Sequence, residues 1–142
     1  VRGANYEKLL RKAGLRPTRQ RLDICGLLFD QQSSHVTAEE LFEEALRREL
    51  AVSLATIYNT LNQFVALSLI RILAVGDKKT YYDTNTIDHH HFIFENSLEI
   101  FDAPSTNCPI HLHSGVPSGF EITHVDVLIR VKPARSSGEE RG

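Results

Sequence analysis

Residues 89–91 read His-His-His and run into the apolar stretch Phe92-Ile93-Phe94. Successive side chains on a strand point to opposite faces, so His89 and His91 share one face and His90 takes the other. Imidazole is the commonest protein metal ligand and titrates near neutral pH. Two imidazoles on one strand face form a candidate ligating edge for a metal ion. Each of the three is also a candidate axial ligand for a haem iron. A solvated strand edge is the plain alternative; it is the weaker reading for His89 and His91 and the stronger one for His90. The two cysteines, Cys25 and Cys108, form no Cys-x-x-Cys pair, so neither a disulfide framework nor a thiolate zinc site is expected. No His-Glu-x-x-His arrangement and no nucleophile constellation occurs, so an enzyme is not expected.

Charge separates two halves of the chain. Residues 1–82 hold 12 Lys/Arg and 9 Asp/Glu, while residues 83–142 hold 4 and 9. A basic half followed by an acidic one fits a nucleic-acid reader joined to a ligand-binding part, with local noise as the bland alternative. No apolar run approaches the ~20 residues that span a bilayer, so no membrane partner is expected. The chain opens on Val rather than Met, as a processed or trimmed chain would, and no secretory signal is visible. A cytoplasmic location is the expectation.

The elements that must carry these residues can be read from caps and periodicity. Residues 5–13 predict a short amphipathic helix stopped by Gly14. Thr18 caps a second helix, with Leu22, Ile24, Cys25, Leu27, Leu28 and Phe29 on its buried side. Ser33 and Ser34 read as loop. Thr37, with Glu40 three residues on, is a capping box for a third helix that buries Leu41, Phe42, Ala45 and Leu46. Ser53 caps a fourth, with Leu54, Ile57, Tyr58, Leu61, Phe64 and Val65 as its apolar stripe. Residues 69–75 and 79–82 flank Gly76-Asp77-Lys78 as a hairpin. Residues 91–95 and 98–101 predict a second hairpin around Asn96-Ser97. Residues 103–119 read mostly as loop. Residues 120–131 predict one long strand whose Val125, Val127, Ile129 and Val131 form an apolar face suited to a homodimer. The fold class is α+β. A winged helix-turn-helix over residues 1–83 is followed by a small α/β dimerisation domain over 84–132 and a disordered tail over 133–142.

The fourth helix is the DNA-reading candidate. Its outer face is Thr56, Asn59, Asn62 and Gln63, uncharged groups able to bond base edges. Ser53 and Ala55 at its start permit close approach, and its N-terminus favours a phosphate. Arg16, Arg19 and Arg21 near the second helix, with Lys78 and Lys79 at the wing tip, are candidate phosphate contacts. Taken singly, each reads first as a solvated charge, and the phosphate role is the weaker reading. Tyr58 lies at the margin of the apolar stripe, so core packing and DNA contact both stay open.

The stretch SLATIYNTLNQF at 53–64, with LRPTRQRLDI at 15–24, HVTAEELFEEA at 35–45 and TYYDTN at 80–85, resembles the ferric uptake regulator family. The family's Cys-x-x-Cys for structural zinc falls on Phe94 and Ser97, so that four-cysteine zinc site is expected to be absent. The triple histidine, Glu95-Asn96-Ser97 and TLNQ at 60–63 resemble its iron response regulator branch. The resemblance implies a dimeric repressor at inverted-repeat operator DNA, controlling iron and haem genes in response to haem or a divalent metal. A sensor of manganese, zinc or peroxide is the alternative within the family. It places the family's DNA-contacting tyrosine on Tyr58, with Asn59 where an arginine commonly follows. It places the family's hinge metal site on His35, Asp83, His89, His91 and Asp102, a nitrogen and oxygen set suited to Fe, Mn or Zn. Cys108-Pro109 resembles a haem regulatory motif, which adds Cys108 to His89, His90 and His91 as haem candidates. His111, His113 and His124 stay unassigned, because the family's second metal site is incomplete here.

Overall fold

The computed structural model describes residues 5–74, 79–87, 89–104, 110–112 and 114–135. The chain divides into two units, Val1–Thr86 and Ile87–Gly142. Among the described residues every helix belongs to the first: α1 (Tyr6–Lys12), α2 (Arg19–Phe29), α3 (Ala38–Arg47) and α4 (Leu54–Ala66). Each begins where its cap dictates. Asn5, Thr18, Thr37 and Ser53 each accept the backbone N–H three residues on, and Thr37 with Glu40 closes both bonds of a capping box.

Helices α1, α3 and α4 end alike. Each has a left-handed residue just past its end: Gly14 at φ 83°, Glu49 at φ 57° and Ser68 at φ 59°. The following leucine N–H then reaches back to a buried apolar residue: Leu15 to Leu10, Leu50 to Ala45 and Leu69 to Phe64, each at 2.9 Å. This is the Schellman arrangement, and only the first uses the residue that adopts it without strain. Glu49→Gly and Ser68→Gly are each expected to stabilise the protein by about 0.5–1 kcal/mol, read as a higher urea midpoint.

The helices enclose one core built from Leu10, Ile24, Cys25, Leu27, Leu28, Leu41, Ile57, Leu61 and Phe64, with Val36 and Tyr82 from the sheet. On α4 the buried stripe is Ile57, Thr60, Leu61 and Phe64, while Leu54, Tyr58 and Val65 are only half-buried. Leu46, expected inside, is 60% exposed because it follows the last buried turn of α3. Burial pushes the Cys25 thiol up to about 12, so it is an inert part of this core.

The wing is a three-stranded antiparallel sheet rather than a hairpin. β1 (His35–Thr37), β2 (Arg71–Ala74) and β3 (Thr80–Asp83) lie in the order β1-β3-β2. The loop expected at Ser33 and Ser34 ends in β1, whose three residues pair with β3 as His35↔Asp83, Val36↔Tyr82 and Thr37↔Tyr81. The turn residues 76–78 lie outside the described residues.

The second unit is a sheet of β4 (His89–Phe94), β5 (Ile100–Pro104) and β6 (Leu128–Val131) in the order β5-β4-β6. The histidine strand begins two residues before the expected start, so all three histidines are in it. β5 is antiparallel to β4 and β6 is parallel to it. The long strand expected over 120–131 is confined to its last four residues. β6 pairs with His91–Phe94 of β4, and the Val127 carbonyl accepts the His91 N–H at 3.1 Å, but residues 120–127 are not themselves in a strand. Phe120 is 75% exposed and Ile122 48%. Of the expected tail, residues 133–135 have no regular structure and 136–142 lie outside the described residues. No described helix is long and apolar enough to cross a membrane.

Candidate metal centre and nucleic-acid interface

Strand register brings the ligating side chains together in each unit. In the second, His91 stands directly opposite Asp102 across the β4–β5 pair, and His89 lies two residues along the same face. The result is a three-donor cluster. His89 Nε2 is 3.3 Å from Asp102 Oδ1 and His91 Nε2 is 3.7 Å from the same oxygen. The two imidazole rings meet edge-on with centroids 4.4 Å apart. His89 Nδ1 contacts the Ile87 carbonyl. A carbonyl only accepts, so this contact places a proton on Nδ1 and leaves Nε2 as the atom facing Asp102. His90 opposes Ala103 instead and turns to the other face.

In the first unit, register places His35 opposite Asp83, with His35 Nε2 3.3 Å from Asp83 Oδ2. Both side chains are buried, at 6% and 1% exposure.

These separations discriminate between two chemistries. A charge-assisted imidazolium–carboxylate bond closes to ~2.7–2.9 Å. Two ligands held ~2.0–2.1 Å from one ion stand ~3.0–3.4 Å apart in octahedral or tetrahedral geometry. The His35–Asp83 and His89–Asp102 distances fall in the second range. The His91–Asp102 pair, at 3.7 Å, lies outside both ranges, and each group offers nitrogen and oxygen donors that could hold a small cation of hard-to-borderline preference. Of the haem candidates, His89, His90 and His91 are 5%, 7% and 1% exposed, which leaves no open ring edge for a macrocycle. Cys108, like His113, lies outside the described residues. His111 is exposed, and His124 Nε2 bonds Asp126 Oδ1 at 2.7 Å.

The DNA-facing candidates fall on one helix and its surroundings. Ser53 caps α4, and its hydroxyl also bonds Thr56 Oγ1 at 2.9 Å. Ala55 and Asn59 are exposed, while Thr56 and Tyr58 are half-buried. Arg16 is exposed, and Arg19 extends beside Asp23 at 3.4 Å with 86% exposure. Arg21 is committed inside the protein: it donates to the Arg16 carbonyl at 2.9 Å and to Gln63 Oε1 at 3.4 Å. Lys79 is exposed and Lys78 lies outside the described residues. One contact was beyond sequence spacing. The Tyr58 hydroxyl donates to the Glu39 carboxylate of α3, 19 residues away. That bond is the main cause of the Tyr58 phenol rising to about 12.

The ferric uptake regulator family model matches residues 12–129, most of the chain. This protein belongs to the ferric uptake regulator family. Members are metal-responsive transcriptional regulators and dimeric DNA-binding proteins, not enzymes. Among its relatives is the peroxide-responsive repressor PerR of Staphylococcus epidermidis, 39% identical over 93 residues, a match that covers 66% of this chain and 61% of that protein. PerR of Staphylococcus aureus strain Mu50 is 34% identical over 117 residues, covering 81% of this chain and 78% of the relative. Among solved structures, the ferric uptake regulator of Pseudomonas aeruginosa with manganese superposes with a TM-score of 0.72 at 22% identity, over 91% of this chain and 98% of the other. This family member therefore shares their α+β fold.

Proposed function

We propose that this protein is a cytoplasmic, homodimeric repressor that binds inverted-repeat operator DNA and reports iron status through one divalent cation. The cation is held jointly by His35, Asp83, His89, His91 and Asp102. The observation that carries this reading is the convergence of donors that strand register produces in each unit: an imidazole nitrogen and a carboxylate oxygen 3.3 Å apart in both. Fe(II) and Mn(II) suit two carboxylates with three imidazoles. When bound, such a cation supplies charge that ties carboxylates and imidazoles together. The chain's own residues supply the rest: His35 and Asp83 belong to the helix-bearing unit, the other three to the second, so shared ligation restricts how the units move. The exposed Phe120, Ile122 and Val125 give the second unit apolar surface for its partner copy.

DNA contact is assigned to Ser53, Ala55, Thr56, Tyr58 and Asn59 on α4, with Arg16, Arg19 and Lys79 at phosphates. The iron branch is favoured by the triple histidine and the missing Cys-x-x-Cys; the names of the staphylococcal relatives favour peroxide response. One experiment separates these. Fluorescence anisotropy on a duplex selected by the protein from a random library is followed while Mn(II), Fe(II), Zn(II) or haem is added, with and without peroxide. A change of about 5- to 150-fold in affinity with Fe(II) or Mn(II) is the expected coupling. Equal affinity for all sequences removes the regulator reading. A response to haem alone, with a saturable absorbance change, transfers sensing to haem. Loss of Fe(II)-dependent binding on peroxide addition transfers it to peroxide.

A further inference from the structure

The Tyr58–Glu39 bond joins the groove-facing side of α4 to the first turn of α3. Tyr58 sits between buried Ile57 and exposed Asn59, so its ring leaves the core along the edge of the polar face. The Glu39 backbone lies in the first turn of α3, between Thr37 and Glu40, whose capping box fixes that turn. The same face has two further ties: Tyr82 donates to Asn62 at 3.5 Å and Arg21 to Gln63 at 3.4 Å. The side chains of this face are therefore held before DNA arrives.

A carboxylate is acceptor-only, so the Tyr58 O–H must point at Glu39. What the phenol then offers outward is its lone pairs. In the major groove only adenine N6 and cytosine N4 present donors to an acceptor. A phenol free to rotate could donate or accept, and would discriminate less. The carboxylate also places a negative charge beside a surface that must approach phosphates, which weakens binding to DNA of any sequence.

We propose that Glu39 is a specificity-setting positioning residue: it fixes the Tyr58 phenol as a hydrogen-bond acceptor at the edge of the reading helix, and its charge lowers affinity for arbitrary DNA. This rests on the reading that α4 enters the major groove. It requires no contact between Glu39 and a base.

The test uses the full chain with Mn(II) and the duplex it selects from a random library, all single base-pair variants of that duplex, and a scrambled duplex. Tyr58→Phe is expected to lose about five- to tenfold discrimination at one base pair carrying adenine or cytosine. Glu39→Ala should lose the same discrimination at the same position, and the double variant no more than either. Glu39→Gln keeps an acceptor oxygen, so it should retain discrimination while binding the scrambled duplex about two- to threefold more tightly. Thermal midpoints within about 2 °C of wild type show that folding is intact. Full discrimination in Glu39→Ala, or additive losses in the double variant, would overturn the proposal. Asn59→Ala separates the two levels: if it lowers affinity for the selected duplex while Glu39→Ala behaves as wild type, α4 reads DNA and Glu39 does not position Tyr58. If Asn59→Ala and Tyr58→Phe both bind as wild type, the groove reading fails and this proposal with it.

Discussion

Replacing His89 and His91 together by alanine is expected to lower divalent-metal affinity by at least about a thousandfold and to abolish metal-dependent operator binding. The double substitution removes two of the three donors that the second unit contributes and leaves Asp102 alone on β5. Structural metal binding of ~10–16 kcal/mol divided over the five ligands gives ~2–3.2 kcal/mol for each, or at least about thirtyfold per imidazole. His90→Ala is the internal control. It lies on the same strand, is equally buried, and opposes Ala103 on the other face. Its metal affinity should stay within about threefold of wild type. Titration calorimetry with Mn(II) and metal content after dialysis measure both. One ion per chain retained by the double variant would remove these histidines from the centre; an equal loss in His90→Ala would mean that the strand, not the ligand face, was damaged.

What could be read in the sequence, and what could not, follows from the range of the interactions. Thr18, Thr37 with Glu40, and Ser53 begin their helices through bonds to residues three positions away, so the starts of α2, α3 and α4 were legible. The alternation of His89 and His91 is equally local. So is the pairing that completes the second cluster: a hairpin turning between Asn96 and Ser97 places His91 against Asp102. β1 is different. It has three residues, too few for a period, and exists because the distant β3 lies beside it. Its His35↔Asp83 pair was available only through family resemblance. The strand expected over 120–131 failed for the opposite reason: alternating valines state which residues could line a face, not whether a neighbouring strand is there to bond them. The Glu39–Tyr58 bond links two helix surfaces through side-chain tips, and no spacing rule covers it. The Schellman ends of α3 and α4 were hidden because Glu49 and Ser68 occupy positions where glycine is the signal.

Phe64→Ala is expected to destabilise the first unit by about 3–5 kcal/mol. Phe64 is fully buried and belongs to the core shared by all four helices. Its carbonyl also receives the Leu69 N–H that ends α4 at 2.9 Å. Small domains hold only ~5–15 kcal/mol in total, so the loss takes a large part of the margin. With a urea dependence near ~1 kcal/mol/M, the midpoint should fall by on the order of 3 M. Far-ultraviolet circular dichroism follows this unit selectively, since every described helix is in it. Cys25 gives a second, independent signal. Its thiol is buried and pushed up to about 12, so at pH ~8 a thiol reagent labels it when the core opens. A Cys108→Ser background isolates that signal. Leu46→Ala, at a side chain 60% exposed on α3, should change the stability by less than about 0.5 kcal/mol. If Phe64→Ala and Leu46→Ala unfold together near the wild-type midpoint, with Cys25 labelled no faster, then α4 is not seated through Phe64. Its polar face would then have no fixed orientation from which to read DNA.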